Sequence, residues 1–206
     1  RAAIGIIRIL LENELDLTLI SILRLGNTNL DFEGLINFFN DRLRIQFGEK
    51  ALNTGIIDSL NLKLYQNISL NVMLLRLFAI RDFVDTEAGS DLIQGYKRAV
   101  NILTVEESRE GVKYSLDPKI ELFKEDLELK LYQQLQKIGK KIIVDLEEEK
   151  PEAALRNLSS LRGPIDDFFD VVQINSENPI IRKNRLCLLN QIKEVMHQVA
   201  DFSKIG

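Results

Sequence analysis

Apolar residues recur at intervals of three and four along most of this chain, and no stretch sustains an alternation of period two. This spacing is typical of amphipathic α-helices whose apolar stripes face a common core. The sequence therefore predicts an all-α fold, a helical bundle. The clearest helical segments are 2–11, 32–47 with Asp31 as its cap, 70–84 with Ser69 as its cap, 91–105, and a long run from Asp117 to about Glu149.

Proline and the residues before it mark where several of these helices should start. Proline is tolerated at the first helical position, where its missing N–H has no partner in any case. The sequence predicts that all four prolines stand at such starts, and that the segment opened by Asp117 and Pro118 is the longest helix. Gly163 and Asn178 are the predicted N-caps before Pro164 and Pro179.

The length of 206 residues is enough to bury a real core. We expect one helical domain over 1–206, and the sequence leaves open a division into two packed helical subdomains, 1–105 and 116–206. The charged stretch 106–115, which carries Gly111, would be the connection between them. Because the chain begins without Met inside a helical pattern, we also expect it to be a piece of a longer polypeptide.

Composition and charge exclude several classes of protein. The net charge is −4, so the chain is not a generally basic nucleic-acid coat, and an RNA site would have to be local. The single cysteine, Cys187, excludes an intrachain disulfide and a thiolate metal cluster, and we expect it in the core. No apolar run reaches the ~20 residues of a membrane span, and no signal-peptide pattern is present, so we expect a cytoplasmic protein.

Catalytic and metal sites are not predicted. The single histidine, His197, lies on a polar helix stripe without an accompanying nucleophile, and we expect it to be solvated or to cap a helix. Asp166, Asp167 and Asp170 would complement the dipole of a helix N-terminus rather than bind a metal. No glycine-rich phosphate loop occurs.

Basic residues form several small groups along the predicted helices. Lys97 and Arg98 share one exposed helix face with Gln94 and Asn101, at positions i, i+3, i+4 and i+7. Taken alone, each basic group is more often a solvated helix face than a binding site. The other groups are Arg42 with Arg44, Lys137 with Lys140 and Lys141, and Arg182 with Lys183 and Arg185.

Several separated strings of this sequence closely resemble the C-terminal region of the β subunit of bacterial tetrameric glycyl-tRNA synthetase, and they occur in the same order. Matches spread over the whole chain are far more specific than one short motif. The matching strings are RAAIGIIRIL at 1–10, YKRAVNIL at 96–103, GPIDDFFD at 163–170, NRLxLL at 184–189 and VADFSKI at 199–205.

The resemblance implies a helical anticodon-binding domain, similar to the DALR-type domain of arginyl-tRNA synthetase. It implies recognition of the anticodon loop of tRNA(Gly) within an α2β2 glycine-tRNA ligase, which uses ATP and Mg²⁺ to attach glycine to tRNA. Glycine activation belongs to the α subunit in that family, so these residues would be non-catalytic and would need no cofactor. The rival reading is a helical protein–protein interaction module that does not read RNA directly.

The resemblance also ranks the candidate tRNA-binding residues. Since glycine codons start with two guanines, every glycine anticodon ends in two cytosines. A cytosine is read by a carboxylate or a backbone carbonyl that accepts from N4, with Arg or Asn donating to its other edge. Tyr96 and Tyr114 are candidate stacking platforms, although Tyr96 is expected to point inward. The candidates, in order of preference, are Lys97, Arg98 and Asn101, then Arg42 with Arg44, then Arg182 with Arg185.

Overall fold

A computed structural model of the chain describes residues 2–18, 21, 32–49, 53–60 and 68–206. Regular structure in these residues is helical, apart from an isolated antiparallel bridge between Thr18 and Ser69. The predicted all-α class is therefore confirmed. The helices are α1 Ala2–Glu12, α2 Phe32–Glu49, α3 Thr54–Ser59, α4 Leu70–Val84, α5 Glu87–Glu110, α6 Asp126–Glu147, α7 Pro151–Ser159, α8 Arg162–Val171 and α9 Pro179–His197, with 3-10 turns at Ile120–Leu122 and Phe202–Lys204.

The chain divides into two compact units, one of Arg1–Asp82 with Lys204–Gly206 and one of Phe83–Ser203. This division lies upstream of the charged connection expected at 106–115. Residues 106–110, the first half of that stretch, belong to α5. There the Glu106 carboxylate is buried against the guanidinium of Arg182, which favours a packed helix over a solvated connection. The helix then ends at Gly111, whose φ of 67° forms a left-handed C-cap.

In the first unit, α1 packs on α2 and α2 packs on α3. Phe39, Leu43 and Phe47, each four residues from the next, are buried on one side of α2. Asn53 caps α3 by accepting a hydrogen bond from the Ile56 amide at 2.8 Å. The predicted cap Asp31 lies outside the described residues.

The second unit is built around α5, α6 and α9. α9 packs against both of the other two, α7 and α8 pack on α6, and α8 also packs on α5. The free thiol of Cys187 is buried in α9, as predicted. None of the described helices combines the length and apolar composition needed to cross a bilayer.

The predicted start of the long helix is wrong. Asp117 and Pro118 precede a 3-10 turn, and α6 begins only at Asp126. The reason is Glu128, whose carboxylate accepts the backbone N–H groups of Lys124 and Glu125 in a capping box and fixes the start there. Consequently α6 has 22 residues, and α5, with 24, is the longest described helix.

The predictions for the other three prolines have different outcomes. Pro151 and Pro179 are the first residues of α7 and α9, and Asn178 caps α9 by accepting two backbone N–H bonds, as predicted. Pro164 is instead the third residue of α8, because this helix starts two residues earlier, at Arg162, with Leu161 as its N-cap. Gly163 is accordingly inside the helix and is not its cap.

Candidate nucleic-acid interface

The polar face predicted on α5 is present in the second unit. Gln94, Arg98 and Asn101 are exposed and Lys97 is half-buried, while Tyr96 and Ala99 between them are buried. The apolar side of α5 thus fixes the helix in the core and leaves this polar face outward. Lys97, Arg98 and Asn101, the first-ranked candidates, are brought together as the sequence predicts.

A cleft of about 470 Å³ opens between α5 and α8 at the edge of this face. Its size falls within the range of small-ligand pockets in proteins. The lining positions recur at helical spacing on both helices, so each helix contributes one face. They are Asp91, Gln94, Gly95 and Arg98 from α5, and Arg162, Asp166, Phe169 and Asp170 from α8.

Gly95 sets how closely the two helices approach at the floor of the cleft. A Cβ atom on Gly95 would lie 3.0 Å from the Cγ2 methyl of Ile165. Because Ile165 is itself buried and cannot easily move, a larger residue would push α8 away from α5. The width of the cleft therefore depends on a glycine at this position.

Arg98 stacks on an aromatic ring at the mouth of the cleft. Its guanidinium carbon lies 4.4 Å from the centroid of the Phe169 ring. Phe169 in turn meets the fully buried Phe168 edge to face, with centroids 5.6 Å apart. The stack is therefore anchored in the core, and an exposed guanidinium plane is held in place by a cation–π contact.

The carboxylates of the cleft differ in their partners. Arg162 lies between two of them, at 2.5 Å from Asp91 and 3.8 Å from Asp166. Asp170 is exposed and makes no hydrogen bond or ion pair with any residue that the structure describes. The three carboxylates and two guanidiniums that line the cleft have a formal net charge of −1. The Asp170 carboxylate can accept a hydrogen bond without giving up another described partner.

The third-ranked candidates, Arg182 and Arg185, are engaged inside the protein. The side chain of Arg185 is only 8% exposed and donates from Nε to Glu128 at 2.9 Å and from a terminal nitrogen to the Gln173 carbonyl at 2.7 Å. Arg182 pairs with Glu106 and, at 2.8 Å, with Glu110. Both guanidiniums therefore hold helices together in this conformation.

The Glu128 carboxylate is the centre of that internal network. Burial disfavours its charged form, but hydrogen bonds from Arg185 and from the backbone amides of Glu125 and Lys124 outweigh burial and lower its pKa. Asn184, next to Arg185, both donates to and accepts from the backbone of Lys119. The polar residues of the NRLxLL string thus form hydrogen bonds inside the protein.

The second-ranked pair, Arg42 and Arg44, lies on α2 in the first unit. The guanidinium carbon of Arg42 lies 3.8 Å from the centroid of the Phe38 ring, and both groups are at the surface. Arg44 forms an exposed ion pair with Asp58 at 2.8 Å. Arg42 thus contacts a ring of its own helix and Arg44 contacts α3, and both guanidiniums keep exposed surface.

Neither tyrosine proposed as a stacking platform is available to a base. The rings of Tyr96 and Tyr114 are 0% and 2% exposed, and Tyr114 donates its hydroxyl proton to Glu110. The aromatic surface that the sequence reasoning missed is Phe169. Its only signal was its place in the Phe168–Phe169 pair, where helical spacing puts one ring inside and the next outside.

His197 is half-buried in a polar network, which differs from the solvated or capping position expected. The Tyr96 hydroxyl donates to Asp201 at 3.0 Å and lies 2.7 Å from Nε2 of His197. Burial lowers the pKa of His197 and raises that of Tyr96. No cluster of three or more metal-ligating side chains occurs among the described residues.

Comparison with known proteins finds relatives that share one name. The chain is 36% identical over 205 residues to the glycine–tRNA ligase beta subunit of Ruegeria sp., 38% over 205 residues to that of Paracoccus denitrificans and 35% over 216 residues to that of Rhodospirillum centenum. Each match covers 100% of this chain and 30% of the relative. The chain therefore spans about 30% of the length of these curated relatives.

A family model gives the assignment. The model described as DALR anticodon binding domain matches residues 92–205, more than half of the chain. The matched segment contains the α5 face and all but one of the residues that line the cleft. The chain belongs to the DALR anticodon binding domain family.

Proposed function

We propose that this chain binds the anticodon stem-loop of tRNA(Gly) as the C-terminal part of the β subunit of a glycine-tRNA ligase. The observation that carries the proposal is the exposed face of α5, with Arg98 stacked on Phe169 at the mouth of a cleft, inside the segment that matches an anticodon binding domain. The names of the relatives, glycine–tRNA ligase beta subunits, are the reason for proposing glycine as the amino acid that the tRNA carries.

The α5 face would make two kinds of contact. The half-buried Lys97 would neutralise backbone phosphates and so provide position and salt-dependent affinity. Arg98 and Asn101 would donate to base edges or stack against them. Arg42 and Arg44, on α2 of the first unit, would add phosphate contacts of their own. Arg182 and Arg185 would stabilise the folded interface from inside.

The chemistry of aminoacylation would take place elsewhere in the ligase. We assign glycine activation, with ATP and Mg²⁺, to the α subunit of an α2β2 assembly and only recognition to these residues. The anticodon-binding part would hold the stem-loop so that the acceptor end of the same tRNA reaches the α subunit.

Filter binding tests the proposal with two transcripts of glycine tRNA, one native and one with both anticodon cytosines changed to uracil. We expect the native transcript to bind at least about tenfold more tightly at moderate salt, since each well-made base contact contributes ~1–3 kcal/mol of discrimination. Equal affinity for the two transcripts would overturn the proposal.

The same measurement separates the proposal from the rival protein–protein module. Exposed apolar side chains such as Val105, Leu116 and Ile180 are the feature on which an adaptor would rely. An adaptor predicts no preference between the transcripts and no effect of Lys97→Ala. Anticodon reading predicts that Lys97→Ala weakens both transcripts alike and lowers the salt dependence by about one phosphate contact.

A further inference from the structure

The cleft between α5 and α8 carries more negative than positive charge, although it lies on a face proposed to meet RNA. Two guanidiniums, from Arg98 and Arg162, face the carboxylates of Asp91, Asp166 and Asp170. A phosphate would be repelled by this balance, and a phosphate site would be lined by donors alone. The group that fits the cleft must instead offer hydrogen-bond donors of its own.

The exposed amino groups of unpaired bases are such donors. Cytosine presents the N4 amino group beside the N3 and O2 acceptors, so it needs one acceptor next to one or two donors on the protein. The cleft has this arrangement, with carboxylates from α8 facing the amide of Gln94 and the guanidinium of Arg98 on α5.

Asp170 is the carboxylate best suited to accept from such a base. The oxygens of Asp91 and Asp166 are shared with Arg162, at 2.5 Å and 3.8 Å. Asp170 stands one helical turn beyond Asp166 on the same face and makes no ion pair or hydrogen bond within the described part of the chain. Its lone pairs are therefore available without breaking an existing contact.

We propose that this cleft binds one unpaired cytosine of the anticodon, with Asp170 accepting from the N4 amino group and the Arg98–Phe169 stack supporting the ring. The inference rests on the proposed function and adds the site at which one of the two cytosines is read. The guanidinium of Arg98, backed by Phe169 at 4.4 Å, provides a flat surface of the kind on which unstacked RNA bases lie.

The test compares Asp170→Asn with Asp167→Asn in the full chain. Both changes remove one negative charge from α8, but Asp167 is 54% exposed, pairs with Lys130 at 3.7 Å and does not line the cleft. Dissociation constants are measured for three anticodon stem-loop hairpins of glycine tRNA. One has the native loop, and each of the others has one of the two cytosines replaced by uracil.

We expect wild type and Asp167→Asn to prefer the native hairpin over both uracil hairpins. Asp170→Asn should bind the native hairpin about tenfold less tightly and lose its preference for cytosine at one of the two positions. The reason is that an asparagine amide can turn to donate to O4 of uracil, whereas a carboxylate can only accept. Circular dichroism of each variant confirms that the helices are intact.

The remaining outcomes separate the two proposals. Suppose that wild type discriminates against uracil and that Asp170→Asn keeps the full discrimination. The cleft assignment is then overturned and anticodon binding stands. The same holds if Asp170→Asn binds all three hairpins more tightly by the same factor, because a negative charge has been removed. If wild type binds the three hairpins equally, the proposed function fails and the cleft assignment fails with it.

Discussion

Replacing Arg185 by alanine should severely destabilise the second unit, although arginine is usually a surface residue. The change leaves the carboxylate of Glu128, which is 0% exposed, without its ionic partner, and leaves the Gln173 carbonyl without its donor. Breaking a buried ion pair from one side costs roughly 3–5 kcal/mol, because the remaining charge stays desolvated. That is a large fraction of the ~5–15 kcal/mol stability of a typical domain.

The pKa of Glu128 adds a pH dependence to this prediction. The folded-state pKa lies below the ordinary value of 4.5, so the unfolded chain binds the proton more readily. The stabilising contribution is therefore fully present above about pH 4.5 and is lost as the pH falls toward the depressed folded-state pKa. Arg185→Ala should reduce this acid dependence, since the guanidinium, together with the backbone amides of Glu125 and Lys124, holds the pKa of Glu128 down.

Urea unfolding of the whole chain, followed by circular dichroism, measures the loss, and hydrogen exchange in α6 and α9 assigns it to this pair. Lys183→Ala removes the same charge from an exposed position of the same helix, and it should change the free energy of unfolding by less than about 0.5 kcal/mol. Arg185→Met combined with Glu128→Gln should cost less than the sum of the single changes. A loss below about 1 kcal/mol for Arg185→Ala would refute the reasoning.

The other predictions concern the packing around the cleft and the polar network. Gly95→Ala places a Cβ 3.0 Å from a methyl of Ile165, and it should cost about 1–3 kcal/mol in thermal unfolding and weaken stem-loop binding. Tyr96→Phe removes the hydroxyl that contacts His197 and Asp201, and it should lower the free energy of unfolding in urea by about 1–3 kcal/mol. Because burial lowers the pKa of His197, the neutral ring should contribute to the free energy of unfolding above its ordinary pKa of 6.5, and this contribution should be lost as the pH falls below that value. Unfolding of wild type and His197→Gln across this pH range measures the difference. The Cys187 thiol, which is 4% exposed and has a pKa raised by burial, should react with a disulfide reagent only as fast as the second unit opens, so rapid reaction of the native protein would contradict the fold.

Helical periodicity was sufficient to predict the exposed half of the candidate site. The spacing of Gln94, Arg98 and Asn101 placed them on one face of α5, because residues three and four apart share a side of a helix. The starts of α7 and α9 were equally predictable from Pro151 and Pro179. In these cases the determinants are local in sequence.

The opposite wall of the cleft depends on which helices pack together, and a single sequence does not state this. Asp166 and Asp170 are expected from the sequence at a helix N-terminus, but neither lies in the first turn of α8, and the packing of α8 on α5 places both in the cleft with Arg98. Likewise, Arg185 is buried against Glu128, which lies 57 positions away in the chain. The residues next to Arg185 in the sequence do not show that its side chain is buried. Glu106, expected within the charged connection, lies in α5 and pairs with Arg182, 76 positions further along the chain.

The central claim is that the α5–α8 face contacts the anticodon loop, and photo-crosslinking tests it most directly. A glycine anticodon stem-loop carrying 5-iodocytidine at one or the other anticodon cytosine is irradiated with the full chain, and the adducts are mapped by mass spectrometry. We predict an adduct at Phe169, or within the peptides of residues 91–101 and 162–170, from at least one of the two cytosines. Efficient crosslinks from both cytosines that fall only outside these peptides would contradict the account.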